Sequence, residues 1–227
     1  LYLAVDYVIL PHGGRPDQPS LDETLPLDIV KLLLDKGADP NPQLKMTAPL
    51  RATGNDRGLD PMLAPGVTPL IRAAKAFDVD SMKALLDHGA DISLITSRNM
   101  TATLAASGMG STDADTRGYF TTSDVQERAI AALDLMFQHG GPVNGKAGQF
   151  AQVPLHGAAF WGWNKVVEYL LGKGVLVAPI TQTGNSRPVW VPPGTWINAW
   201  TGATTTGPAT ITATVTQQQA PIFIKRG

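Results

Sequence analysis

YLLGKGVLVAPI, residues 169–180, decides the fold. Its left half reads as the end of an amphipathic helix stopped by glycine. Its right half opens a run of β-branched and apolar residues, and no Asp, Glu or His occurs from Val175 onward. Read outward in both directions, the chain is two kinds of sequence that meet near Gly174–Val175.

To the left, one pattern recurs. DIVKLLLDKGADPN at 28–41, SMKALLDHGADIS at 81–93 and ALDLMFQHGGPVN at 132–144 align with one another, and KVVEYLLGKGV at 165–175 joins them up to its glycine. Apolar residues fall at helical spacing, as in Ile29, Leu32 and Leu33 or Met82, Leu85 and Leu86. Each segment ends at a glycine: Gly37, Gly89, Gly140 and Gly174. Glycine at that point takes the left-handed conformation that closes a helix. Lys36, His88, His139 and Lys173 precede these glycines and suit the negative end of the helix dipole. A second signature stands ahead of most of these segments: GVTPLIRAAKAF at 66–77, NMTATLAASGMG at 99–110 and VPLHGAAFWGW at 153–163, with LYLAVD at 1–6 as a remnant. Proline costs little in a first helical turn, where its missing N–H has no partner to lose. The Ala-Ala pairs make thin helices that neighbours can approach closely.

T-P-L-x-x-A-A followed by L-L-x-x-G-A-D resembles the ankyrin repeat, a turn plus two antiparallel helices of about 33 residues. The resemblance covers residues 1 to 174 and implies a mainly α fold: a helical solenoid of four repeats with long inter-helix loops. The helix-ending glycines stand 52, 51 and 34 residues apart, so only the last interval is a plain repeat. Insertions at 42–65 and 108–124 account for the two longer intervals, and a third, at 10–26, lies between the two helices of the first repeat. Insertions in solenoids loop outward, often on the binding face.

To the right, threonine becomes common and the alternation changes to period two. VPPGTW at 191–196 reads as a turn between the short strands PVWV and TWINAW; TITATV at 210–215 reads as a half-buried strand and PIFIKR at 221–226 as another. LVAP at 176–179, the PPGTW turn, WTG at 200–202 and the closing PIFIKRG resemble the β-sandwich segment after the catalytic barrel of family 31 glycoside hydrolases. In that family the nucleophile and acid are barrel aspartates. Residues 175–227 hold no carboxylate side chain, and glycoside hydrolysis needs two, so the resemblance carries over no catalytic residue. Side by side, the two resemblances imply a chimeric chain of two domains, 1–174 and 175–227, with the β segment as a candidate C-terminal cap of the helices.

Composition narrows the function. The 227 residues carry a formal charge of −1, which gives no electrostatic case for nucleic acid. No apolar run approaches the roughly 20 residues of a membrane span. Cysteine is absent, so disulfides, thiolate metal sites and a cysteine nucleophile are excluded, while a secreted or periplasmic bacterial location stays open. The chain begins at Leu1 without a signal-peptide pattern and is expected to be a mature or partial chain. No G-x-S-x-G, P-loop or dinucleotide fingerprint is present, and no cofactor is expected.

The site candidates follow. DADTRGYFTTSD at 113–124 places Asp113, Asp115 and Asp124 at positions 1, 3 and 12 of a calcium-loop pattern. Arg117 at position 5 cannot ligate a cation and Asp124 is shorter than the usual bidentate Glu, so the favoured reading is a solvated loop with no metal. Ser123 and Gln126 are then a capping box for the next helix. His156 is read as structural, and His12, His88 and His139 lack metal-ligand spacing. Lys75, Phe77, Phe160, Trp161 and Trp163 fall where an ankyrin solenoid presents side chains on its concave face. Aromatics exposed there are typical interface anchors, and stacking on a sugar ring is the alternative. Burial is the competing reading for Trp163, and for Trp190, Trp196 and Trp200 in the β segment. The expected function is a non-catalytic protein-binding module of the ankyrin type. The alternative is a fragment or fusion of a family 31 glycosidase lacking its barrel.

Overall fold

A computed structural model describes residues 1–9, 24–46, 64–110, 123–173, 175–177, 185–214 and 221–225. Most of the three insertions, with Asp113 and Asp115, lies outside the described residues. The fold is mainly helical with a small antiparallel sheet at the C-terminal end. Among the described residues, eight helices run α1 (Tyr2–Ile9), α2 (Pro26–Asp35), α3 (Pro69–Lys75), α4 (Val79–Asp87), α5 (Ala102–Ala106), α6 (Val125–Gln138), α7 (Pro154–Phe160) and α8 (Asn164–Gly172). Four strands follow among the described residues: β1 (Val175–Val177), β2 (Ser186–Asn198), β3 (Thr204–Thr214) and β4 (Ile222–Lys225). The chain divides into two compact units, Leu1–Val167 and Glu168–Gly227, the division falling inside α8 and ahead of the change in residue character at Val175.

In the first unit the short helices pack in one row, α1 on α3, α3 on α5 and α5 on α7; the longer ones pack in another, α2 on α4 and α4 on α6. Local chemistry sets the ends. Pro26, Pro69 and Pro154 each occupy a first helical turn. Thr68 Oγ1 accepts from the Ile71 amide at 3.1 Å and Thr101 Oγ1 from the Leu104 amide at 3.1 Å, so each threonine caps its helix. Gly37, Gly89 and Gly140 have φ of +84°, +86° and +86°, the left-handed closure expected of them.

The α2 face differs from the one expected. Ile29 and Leu32 are exposed, and Val30 and Leu34 are the buried pair. DIVKLLLD carries two apolar stripes at i, i+4 spacing, and packing on α1 and α4 selects the second. In α4, Met82, Leu85 and Leu86 are buried as expected. A buried ion pair ties α3 to α1: Arg72 Nε donates to Asp6 Oδ1 at 2.7 Å, with side chains 0% and 7% exposed. Loops join neighbours too. Asn41 Nδ2 donates to Gly89 O, Asn41 Oδ1 accepts from the Asp91 amide, and Gln43 Nε2 reaches Gly66 O and Ile95 O.

The second unit is a four-stranded antiparallel sheet in the order β1-β4-β2-β3. VPPGTW is not a turn. β2 runs through it as one strand, and its pairing with β3 shifts between Val191 and Gly194. Gly194 at φ +122° and the two prolines that cannot donate to the ladder make a bulge, which Trp196 Nε1 steadies by donating to Pro192 O at 2.9 Å. The turn lies further on, where Asn198 Oδ1 accepts from the amides of Trp200 and Thr201. Val189, Val191, Trp196, Ala213 and Phe223 form the core, with Ile211 packed against it.

Candidate functional site

Four of the side chains singled out in the first unit, Phe77, Phe160, Trp161 and Trp163, belong to one aromatic relay. It is built on three equivalent turns, those that follow α3, α5 and α7. The turn after α5 carries Gly108 at φ +85° and the turn after α7 carries Gly162 at φ +65°. The turn after α3 carries Phe77 at φ +56° in the same place. Phe77 N–H bonds Ala74 O and Asp78 N–H bonds Ala73 O, the same pair of bonds that Gly162 and Trp163 make to Ala159 and Ala158. A side chain is therefore held where glycine is the unstrained choice.

The strained residue is fixed by its ring. Phe77 meets Trp163 edge to face, centroids 5.6 Å apart. Trp163 stacks on Trp161 at 6.5 Å and 27°, and Trp161 meets Phe160 edge to face at 5.1 Å. Trp161 Nε1 donates to Gly108 O at 2.8 Å, so the relay bridges all three turns. Exposure rises along it: Phe77 1%, Trp163 6%, Trp161 partly exposed, Phe160 74%.

This corrects three of the five contact candidates. Lys75, Phe77 and Trp163 are buried and offer no side chain to a partner. Every residue of α3 is buried, because α1, α4 and α5 all pack on it. Trp163 is covered by Phe77 and the Gly108 turn. Phe160 is exposed and Trp161 is partly exposed. No sequence signal marks Phe150, which is 81% exposed in a tight loop closed by the Ala147–Gln152 bridge.

A cleft of about 510 Å³ opens beside the Phe77 turn, lined by Val8, Leu27, Phe77, Asp78, Asp80, Asp124, Glu127 and Arg128 among others. Asp78 Oδ1 accepts from the Ser81 amide at 3.2 Å and caps α4, while its Oδ2 is buried with no hydrogen-bond partner. Burial pushes the Asp78 carboxyl above its ordinary value, the Ser81 hydrogen bonds oppose this, and neighbouring Asp80 adds to it.

Asp124 Oδ2 accepts from Arg128 Nε at 2.7 Å in an i, i+4 pair. Asp124 itself stands at the N-cap of α6, one residue later than the capping box at Ser123 and Gln126 required. Gln126 is thereby placed to cap another helix: its Oε1 accepts from the Lys165 amide at 3.0 Å in the first turn of α8, and Glu127 pairs with Lys165 Nζ beside it. His156 Nδ1 accepts from the Val153 amide at 3.0 Å, a structural bond within its own helix start. Among the described residues, no three His, Asp or Glu stand close enough to hold a metal ion. Among them too, no helix is long and apolar enough to cross a membrane.

Comparison with known proteins finds two families in the chain, the second match beginning inside α7 rather than at Val175. Residues 66–97 match the ankyrin repeat, and residues 158–227 match the glycosyl hydrolase family 31 C-terminal domain. Curated relatives match the C-terminal part. The isomaltosyltransferase of Sporosarcina globispora is 34% identical over 61 residues, 26% of this chain and 6% of its own. The alpha-glucosidase of Saccharolobus solfataricus is 37% identical over 60 residues, 26% of this chain and 8% of its own. Alpha-glucosidase 2 of Bacillus thermoamyloliquefaciens is 36% identical over 66 residues, 29% of this chain and 8% of its own. The matches therefore span less than a tenth of each relative and lie in the C-terminal part of this chain.

Proposed function

We propose that residues 1–174 are an ankyrin-type solenoid that binds a protein partner without catalysis, and that 175–227 form a separate β domain. The observation that carries this reading is the recurrence of one turn at Phe77, Gly108 and Gly162, wired together by the aromatic relay. Repeats that bury their apolar faces only against neighbours give a stiff, extended surface suited to recognition. The relay makes Phe160 and Trp161 a rigid anchor, because the rings behind them are packed and lose little freedom on binding.

A photo-crosslinking residue in place of Phe160, compared with one at exposed Lys173, tests this in an extract of the source cells. The reading expects one discrete protein adduct from position 160 and none from 173. Equal labelling from both positions overturns it.

The match of 158–227 to the family 31 C-terminal domain supports the second reading, that the chain carries a piece of an α-glucosidase-like enzyme. Stable association of the purified chain with a separately produced catalytic barrel of an α-glucosidase favours that reading, and no association agrees with the first.

A further inference from the structure

We propose that the outer face of the β2–β3 ribbon is a binding platform for a neutral saccharide. Three register pairs make it: Ser186 with Thr214, Pro188 with Thr212 and Trp190 with Thr210. All six side chains are exposed, and Trp190 is 58% exposed where Trp196 of the same strand is 3% exposed. Cross-strand partners share a face, so an indole, a prolyl ring and four hydroxyls lie in two rows about 5 Å apart.

The chemistry of that surface selects its ligand. No side chain in the patch is ionisable, and β3 contains no charged residue at all. The nearest charge on β2, Arg187, belongs to the opposite face by strand alternation. Phosphate, nucleic acid and acidic peptide need cations, and a metal ion or basic peptide needs carboxylates; the patch supplies neither. A pyranose ring needs what is present. Its C–H face stacks on an indole, and its hydroxyls both donate and accept, as threonine and serine hydroxyls do. The two rows run along the ribbon, which suits an extended chain of sugars rather than a single enclosed one. The proposal stands apart from the protein-binding role of the helices and rests on none of their residues.

The test is calorimetric titration of the full chain with maltoheptaose, cellohexaose and xylohexaose. The platform binds at least one of them; Trp190→Ala weakens that binding by roughly ten-fold or more, while Trp190→Phe keeps most of it. Thr210→Val weakens it less than the loss of the ring. Circular dichroism of the variants matches the parent, since the substituted side chains are at the surface. Absence of binding to all three sugars overturns the proposal, as does binding that Trp190→Ala leaves unchanged. A dimer in solution whose Trp190 is shielded from acrylamide quenching also overturns it, because the face is then covered by a second copy.

Discussion

The indole of Trp163 lies against the backbone of Gly108, so closely that a Cβ built at Gly108 would stand 2.5 Å from Trp163 Cζ3 and 2.8 Å from Cη2. The glycine serves two purposes there. It adopts φ +85°, and it leaves room for a ring that comes from a turn 55 residues further along.

Gly108→Ala is expected to destabilise the first unit by about 2–4 kcal/mol, the sum of a left-handed alanine and an overpacked contact. Combining it with Trp163→Leu separates the two contributions. The smaller side chain removes the clash but not the backbone strain, so the double variant is more stable than the two single losses add up to. Chemical denaturation of the four proteins measures this. Strict additivity would show that the ring and the glycine do not touch in solution.

Phe77 makes the opposite compromise. It accepts a left-handed backbone at φ +56° in order to place its ring against Trp163. Phe77→Ala keeps the strain and loses the ring, a loss of about 3–5 kcal/mol for a buried phenylalanine. Phe77→Gly loses the ring as well but relieves about 1–2 kcal/mol of strain. The glycine variant is therefore expected to be the more stable of the two, the reverse of the ordinary order inside a helix. Thermal melts rank them, and alanine above glycine would contradict the turn geometry.

These two sites show what the sequence discloses and what it withholds. Gly37, Gly89 and Gly140 were legible because left-handed closure is a local demand with a local signature. Phe77 was not, because the residue that normally marks such a turn had been replaced, and its compensation lies 86 residues away in Trp163. The buried stripe of α2 was ambiguous for a different reason: DIVKLLLD is apolar on more than one side, and only its neighbours decide which side is covered. In the sheet, Trp190 and Trp196 have the same parity and would share a face in a regular strand. The bulge between Val191 and Gly194 adds one residue to β2 and reverses the alternation beyond it, so one indole enters the core and the other meets solvent. Reading VPPGTW as a turn hid that reversal.

The carboxyl of Asp78 gives the first unit a pH dependence opposite to that of a salt-bridged acid. Burial is the main influence on it and raises its pKa above the ordinary 3.8, against the pull of the Ser81 hydrogen bonds. The folded chain then holds a proton that the unfolded chain has already released. Below the unfolded value both states are protonated and the stability contributed by this group is fully present. It is lost as pH rises through the higher folded value, where the buried carboxylate must ionise. Asp78→Asn keeps an oxygen to accept from the Ser81 amide, and asparagine caps a helix about as well as aspartate. It removes the ionisation. Between about pH 3 and about pH 7 the parent is expected to lose stability relative to this variant, with the change beginning above the unfolded carboxylate value. The slope of that difference is the readout, so a constant offset from the new amide nitrogen beside the buried Oδ2 position does not disturb it. Urea unfolding of both proteins at several pH values supplies the slope. A difference that stays flat, or that turns in favour of the parent as pH rises, would mean that Asp78 is held ionised by partners stronger than the burial it suffers.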